Sequence, residues 1–453
     1  VFETNELIVI AMLSSFILLI FSGYPVAWIL AGISVLFSAG SIIAYQYFDV
    51  DTYFLTDWRI FGVMVQRIYT QMTNWVLVAL PMFIFMGLML ERSGVAEKLM
   101  KNFVELFGRF RGGLGVAVIT IGILLAASTG IVGASVVLLA MLSIPTMLEQ
   151  KYSPAFASGI VASAGTLGIL IPPSIMLIIM ADQLSLAVGD LFMGALIPGV
   201  MLGLMYIAYV VIAAMLVPSL AKPKTDLPPI SFKMVLSTLW AVVPSLGLIL
   251  AVLGSIFLGI ATPTEAAGVG ALGATILAAM NGRLNKEVLK DVSMKTSITT
   301  AFVFGIFLGA TAFAVVMRSL GGDEFIGGML KSIPLSPEGI VIVILLITFA
   351  AGFFLDWLEI SLILLPLVGP VVSALGFDLT WFVVLFALAL QTSFLTPPVG
   401  FSLFYLKGVV PPSIKTTDIY KGVIPFILIQ LLAVAMVFYW KDLVLWLPGV
   451  RYG

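Results

Sequence analysis

Neither cysteine nor histidine occurs among the 453 residues. Without cysteine there are no disulfides, no thiolate metal sites and no cysteine nucleophile. Without histidine there is no imidazole proton relay and no histidine-ligated zinc, so an ion site here must be built from oxygen atoms. Charge is scarce as well. Only 10% of residues are charged and the formal net charge is −1, so no basic excess points to nucleic acid. There is no Gly-Lys-Ser/Thr phosphate loop, and no ATPase is built into the chain. What fills the sequence is apolar: 61% hydrophobic residues and a mean hydropathy of +1.19, far from a soluble domain. The fold class read from this is an all-α polytopic membrane protein.

One stretch organises the rest. Residues 155–181 could cross a bilayer, but Gly165-Thr-Leu-Gly-Ile-Leu-Ile-Pro-Pro-Ser174 interrupts them. Consecutive prolines remove two backbone donors and stop the helix ahead of them. Unpaired carbonyls in lipid cost several kcal/mol each, so the break must line protein or a water cavity. Residues 381–407 carry a second copy, Gln391-Thr-Ser-Phe-Leu-Thr-Pro-Pro-Val-Gly400. Two such broken helices at matching places in two halves are the sequence sign of a transporter binding site.

The remaining runs fall into order around these breaks. Spans are expected at 7–21, 26–44 and 75–90, with the aromatic and polar residues 49–74 at the membrane interface. The first segment carries Glu3 and Glu6 in place of a basic n-region, and is read as a retained span rather than a cleaved signal peptide. Val95, Leu99, Phe103, Leu106 and Phe110 share one helical face, the pattern of an amphipathic helix on the membrane surface or of a solvated connector. Two short runs, 114–127 and 136–147, make a re-entrant hairpin over about 112–148, followed by the broken helix and a span at 191–216. Residues 218–235 form a cytoplasmic linker. Beyond it come spans at 239–258, 266–280 and 297–316, a second hairpin over about 337–374, the second broken helix and a last span at 424–440.

The two halves, 1–217 and 236–453, repeat one another in order. Pro25 and Gly32 match Pro263 and Gly270, Arg92-Ser93 matches Arg318-Ser319, and Ile197-Pro198 matches Ile424-Pro425. If hairpins do not cross, each half crosses five times and the repeats have inverted topology. Sixteen of the 22 basic residues then share one side, which makes that side cytoplasmic and puts both termini outside.

Gly23-Tyr-Pro-Val-Ala27, Gly133-Ala-Ser135, the first Pro-Pro segment, Ala261-Thr-Pro-Thr-Glu-Ala-Ala267 and Leu355-Asp356 resemble the large membrane subunit (DctM-type permease) of tripartite ATP-independent periplasmic (TRAP) transporters, over nearly the whole chain. The resemblance implies an elevator-type secondary transporter in a bacterial or archaeal cytoplasmic membrane, driven by sodium and without an ATPase. It also implies two partners, a small four-helix membrane subunit and a periplasmic binding protein that delivers an organic-acid substrate.

Sodium is a hard cation and seeks several oxygen ligands, by analogy with the other hard cations. A hairpin tip beside an unwound helix supplies free carbonyls and hydroxyls. The first expected cage sets Ser128, Thr129, Gly130, Gly133 and Ser135 against Gly165, Thr166, Gly168 and Ile171; the second sets Gly352 and Asp356 against Thr392, Ser393 and Thr396. For each hydroxyl the alternative is a bond to a neighbouring backbone carbonyl. Asp356-x-x-Glu359 has two readings, a capping box or an intramembrane acid with a transport role. Glu265, at the start of a span, reads as an anchor favoured by the helix dipole. The substrate is expected between the tips, against Pro173, Ser174, Pro398 and Gly400, with Asp356 and Glu359 nearby. Half-helix N-termini there offer amides to a carboxylate or sulfonate. No cofactor and no transition metal is expected. An intramembrane enzyme would need a nucleophile or metal cluster, but His and Cys are absent and no Ser–Lys or paired-Asp arrangement stands out; a passive channel is the remaining rival.

Overall fold

The computed structural model describes residues 3–129, 132–223 and 231–452, and its elements among these are all helical. Gly130 and residues 224–230 of the linker lie outside the described residues, and of Ser128 and Thr129 only the helical backbone is described. The first part of the chain forms α1 (Thr4–Ile20), α2 (Val26–Phe48), α3 (Ile60–Met72), α4 (Ala79–Arg92), α5 (Val95–Phe107), α6 (Gly113–Thr129) and α7 (Val132–Glu149). The first broken helix is α8 (Pro154–Thr166), a 3-10 turn (Leu167–Ile169) and α9 (Ile175–Gln183), followed by α10 (Val188–Leu216). Next come α11 (Phe232–Phe257), α12 (Pro263–Met280), α13 (Lys286–Ser319), α14 (Gly322–Ser332), α15 (Pro337–Ala351) and α16 (Trp357–Ala374). The second broken helix is α17 (Leu379–Leu395) and α18 (Phe401–Val409), and the chain closes with α19 (Thr416–Tyr439) and α20 (Asp442–Tyr452).

The helix ends follow local chemistry. Pro25 closes a turn whose Gly23 takes φ +79°, a conformation glycine adopts without strain, and α2 begins behind it. Pro154 and Pro263 occupy the first positions of α8 and α12, where the missing donor costs nothing. Among the described residues eight helices are long and apolar enough to cross a membrane, so this is a multi-pass membrane protein. The eight include α7 and α16, the second arms of the expected hairpins.

Packing divides the chain into two compact units, each drawing on both halves of the sequence. The first comprises residues 1–75, 298–344 and 355–379. In it α1 packs on α2 and α14, and α14 packs on α16. Gly309 admits the Ala27 carbonyl so closely that a methyl group would collide with it. Phe54 N–H donates to Ser319 O at 3.1 Å, so the interfacial aromatic segment is stitched to the end of α13. Tyr53 O–H donates to Glu324 at 2.6 Å, and that carboxylate holds the phenol above its ordinary pKa.

The second unit comprises residues 76–297, 345–354 and 380–453. Its centre is the pair of broken helices: α8 packs between α7 and α19, and α18 packs on α7. Phe192, Tyr206, Phe382, Phe386 and Phe426 are fully buried here. Gly159 of α8 and Gly422 of α19 meet backbone to backbone, with no room for a Cβ on either. Around the core α4 packs on α12, and α5 lays Val95, Leu99 and Phe103 onto α6 and α11. The apolar face expected in lipid is thus largely covered by protein, because α11 offers it an equally apolar surface; Phe110 alone of the five is exposed. At one edge Arg92 bonds Asp291 at 2.6 Å and Arg283 bonds Glu97 at 2.9 Å, exposed pairs that water screens and that add little to stability.

Candidate functional site

The first helix break is buried from Gly165 to Ser174. Gly165 brings α8 against the backbone of Val136 in α7, where a methyl group would overlap, and Val136 follows Ser135. The structure therefore sets the start of the first break directly on the second arm of the first hairpin. Ser135 is buried at 2% exposure. Gly133, nearer the tip, faces the ring of Tyr405 in α18; a Cβ there would stand 2.9 Å from it. Thr166 Oγ1 donates to Ser163 O at 2.8 Å, Gly168 lies within the buried 3-10 turn, and Ile171 packs against Gly199 of α10. Ser174 turns its hydroxyl back across the break to Ile169 O at 2.8 Å and leaves α9 without a side-chain cap. The first-turn amides of α9 have no partner within their own helix.

The second break follows the same plan with more hydroxyls and more exposure. Thr392 Oγ1 donates to Leu388 O at 2.8 Å and Thr396 Oγ1 to Thr392 O at 2.7 Å. Ser393 differs: its Oγ is buried with no hydrogen-bond partner, and it fills the place a side chain on Gly352 would need. Gly352 and Ser393 are thus in contact. Ser402 reaches back to Phe394 O at 2.7 Å, repeating the stitch made by Ser174. Gly400 N–H donates to Thr396 O at 3.1 Å, and Tyr420 O–H holds the Pro398 carbonyl at 2.9 Å. Pro398 and Val399 are exposed, unlike anything in the first break. Both Pro-Pro bonds, Pro172-Pro173 and Pro397-Pro398, are cis.

The two broken helices touch. Gln391 Nε2 donates to Thr166 Oγ1 at 3.3 Å, and both side chains are fully buried. Gln391 and Thr166 hold equivalent places, each six residues ahead of its Pro-Pro pair. Tyr206 of α10 and Gln430 of α19 complete a polar group in the apolar core, the Tyr206 hydroxyl facing Gln430 and Thr166. Sequence reasoning passed over Gln391, Gln430 and Tyr206 as site residues. The available signal was a glutamine inside an otherwise apolar span at 424–440, and the shared offset from the prolines.

Asp356 and Glu359 belong to the first compact unit. Asp356 occupies the N-cap of α16 with extended backbone (φ −72°, ψ 163°), yet its side chain makes no capping hydrogen bond. Glu359 is 4% exposed, and its Oε2 is buried without a partner. Glu265 behaves otherwise. Thr262 and Glu265 complete a capping box, Glu265 accepting from Thr262 N–H at 2.8 Å while Thr262 accepts from Glu265 N–H at 3.3 Å.

Comparison with known proteins agrees with this arrangement of helices. The chain is 31% identical over 401 residues to the C4-dicarboxylate TRAP transporter large permease protein DctM of Vibrio cholerae, covering 84% of this chain and 87% of that one. It is 29% identical over 369 residues to the isethionate TRAP transporter permease protein DctMQ of Oleidesulfovibrio alaskensis, covering 81% of this chain and 57% of that longer relative. Its fold matches the crystal structure of the Alcanivorax borkumensis YdaH transporter, described as having an unusual topology, with a TM-score of 0.63 at 14% identity over 96% of this chain and 98% of that one. The model of the tripartite ATP-independent periplasmic transporter DctM component matches residues 13–443. The chain with two stitched and crossing helix breaks therefore belongs to the DctM family of TRAP transporter large permeases, and it is a transporter subunit rather than an enzyme.

Proposed function

We propose that this permease carries a small organic acid, a carboxylate or sulfonate, into the cell on a sodium gradient, receiving it from a periplasmic binding protein and working with a small four-helix membrane subunit. The observation that carries the reading is the pair of crossing helix breaks. Thr166, Thr392 and Thr396 each give their proton to a carbonyl of their own helix. Such bonds form in membrane helices without any ion, but they leave only oxygen lone pairs facing outward, which is what a hard cation takes; one lone pair of Thr166 already accepts from Gln391. Ser393 Oγ, buried beside Gly352, has its lone pairs and its proton unspent. The N-termini of α9 and α18 supply amides and positive dipole ends for an acid group. No arginine lies in either break, so recognition there is by amide and hydroxyl rather than by a bidentate clamp.

The substrate class is supported by the relatives, one named for C4-dicarboxylates and one for isethionate, a sulfonate. Inverted repeats, elevator movement and termini on the periplasmic side complete the proposal, and the distribution of basic residues supports the orientation. Uptake by proteoliposomes holding the chain with its membrane partner, supplied with binding protein, should require an inward sodium gradient and fail on an equal potassium gradient. Uptake indifferent to sodium, or concentrative uptake by the chain alone, would overturn the proposal. The native chain has no cysteine, so single-cysteine labelling tests the topology. Cysteines at Gly112 and Lys151 should label from the cytoplasm, those at Lys331 and Asp378 from outside. Labelling of Gly112 and Lys151 from opposite sides would make the first hairpin a full crossing.

A further inference from the structure

Where α8 and α17 cross, the core of the second unit holds a polar group that none of the proposed ion or substrate contacts uses apart from Thr166. Four side chains make it: Thr166, Tyr206, Gln391 and Gln430, all at 0% exposure. Gln391 Nε2 donates to Thr166 Oγ1 at 3.3 Å, and the Tyr206 hydroxyl faces Gln430 and Thr166. The Tyr206 hydroxyl, Gln391 Oε1 and both ends of the Gln430 amide are buried without a well-formed hydrogen bond. A buried polar group left without a hydrogen bond is costly, so four in one place call for a shared partner. The orphans include donors and acceptors. A cation would satisfy the oxygens and strand the Gln430 N–H groups, whereas a water molecule can accept from two donors and give to two acceptors.

The location gives the group its meaning. Gln391 precedes Thr392 and Ser393, and Thr166 precedes the turn containing Gly168, so their hydrogen bond joins the two segments at equivalent points. A slip of either helix by one residue would break it. We propose that Gln391 is a positioning residue that keeps the two helix breaks in register, and that an internal water shared with Tyr206 and Gln430 holds its amide on Thr166. The functional readout rests on the sodium reading above; the register and the water do not.

The test uses the purified full chain in nanodiscs, with sodium chloride against choline chloride as the probe and the thermal midpoint as the signal. Gln391→Met keeps the volume and removes the amide. It should raise the sodium concentration for half-maximal stabilisation at least fivefold, with Tyr206→Phe and Gln430→Met raising it two- to threefold. Tyr206→Phe deletes one atom and guards against a variant that fails to fold. A lower sodium-free midpoint with unchanged half-saturation would mean packing only, and would overturn the positioning role. If the native chain shows no sodium-dependent stabilisation, the sodium reading falls. The register claim is then judged from the sodium-free midpoints, where the Tyr206→Phe/Gln391→Met double variant should lose less than the two single losses together. Additive losses would sink it. A cryo-electron microscopy map resolving ordered waters should show a peak within hydrogen-bond reach of Tyr206 Oη and Gln391 Oε1; a dry crossing in such a map rejects the water.

Discussion

Two short acidic motifs begin two helices of this permease and end up in opposite conditions. Thr262-x-x-Glu265 forms both bonds of a capping box on the exposed start of α12. Asp356-x-x-Glu359 has the same spacing at the start of α16, but Asp356 makes no side-chain cap and Glu359 is buried with an unpartnered oxygen. Spacing alone therefore does not say what an acid does. An exposed acid can afford to serve its own helix, since water is at hand for the remaining lone pairs. A buried acid with an oxygen left unpartnered, as Glu359 Oε2 is, carries a desolvation cost that its own helix does not fully offset, which makes it a candidate for another partner.

The largest effect that can break this contrast is expected at Asp356. Asp356 makes no side-chain capping hydrogen bond that the change would remove, and Asn suits an N-cap as well as Asp, so Asp356→Asn should leave expression and thermal stability nearly unchanged. If the carboxylate holds sodium, the same variant raises the sodium concentration for half-maximal uptake about tenfold or more, the charge being worth over 1.4 kcal/mol to a cation. A normal sodium dependence would remove Asp356 from the ion site and leave it only its place at the start of α16. Glu359→Gln comes next: uptake should fall several-fold while stability holds or rises, because an unpartnered buried acid is removed. A large loss of stability would show that the Glu359 carboxylate braces the fold.

Smaller shifts are expected where a single hydroxyl is lost. Thr396→Ala and Ser135→Ala should each raise the half-saturating sodium two- to threefold, and uptake at saturating sodium should recover. The least functional consequence belongs to the capped motif. Thr262→Ala should lower stability by about 1 kcal/mol, read as a lower thermal midpoint, with sodium dependence unmoved. A sodium shift in that variant would erase the distinction between the two motifs.

Much of the helical framework was legible in the sequence because lipid tolerates so few ways to satisfy a backbone. The Pro-Pro pairs mark both breaks, and apolar length marks the spans. Hydropathy failed where charge and helix coexist. The α13 helix begins at Lys286, eleven residues ahead of the expected span, because Lys286, Glu287, Lys290, Asp291 and Lys295 are good or tolerated helix residues; Asp291 and Lys295 pair at 3.1 Å along its surface. The helix is roughly 50 Å long at 1.5 Å per residue, more than a bilayer core requires. Helix α14 falls between the expected span and the second hairpin, where hydropathy assigns no element for the same reason. At the candidate site, the residues adjoining the prolines could be named from the sequence. The meeting of Gln391 with Thr166 could not, since it depends on how two helices distant in sequence cross.

The seam between Gly159 and Gly422 has a consequence for motion. Here two main chains lie against each other with no side chain between them, so sliding either by a residue would drive a methyl or larger group into the other's carbonyl. Alanine at either glycine should therefore act as a wedge. The seam also ties the first broken helix to the last long helix: a shift of α8 along its axis that left α19 in place would drive a side chain into the contact, so the two helices are keyed to each other.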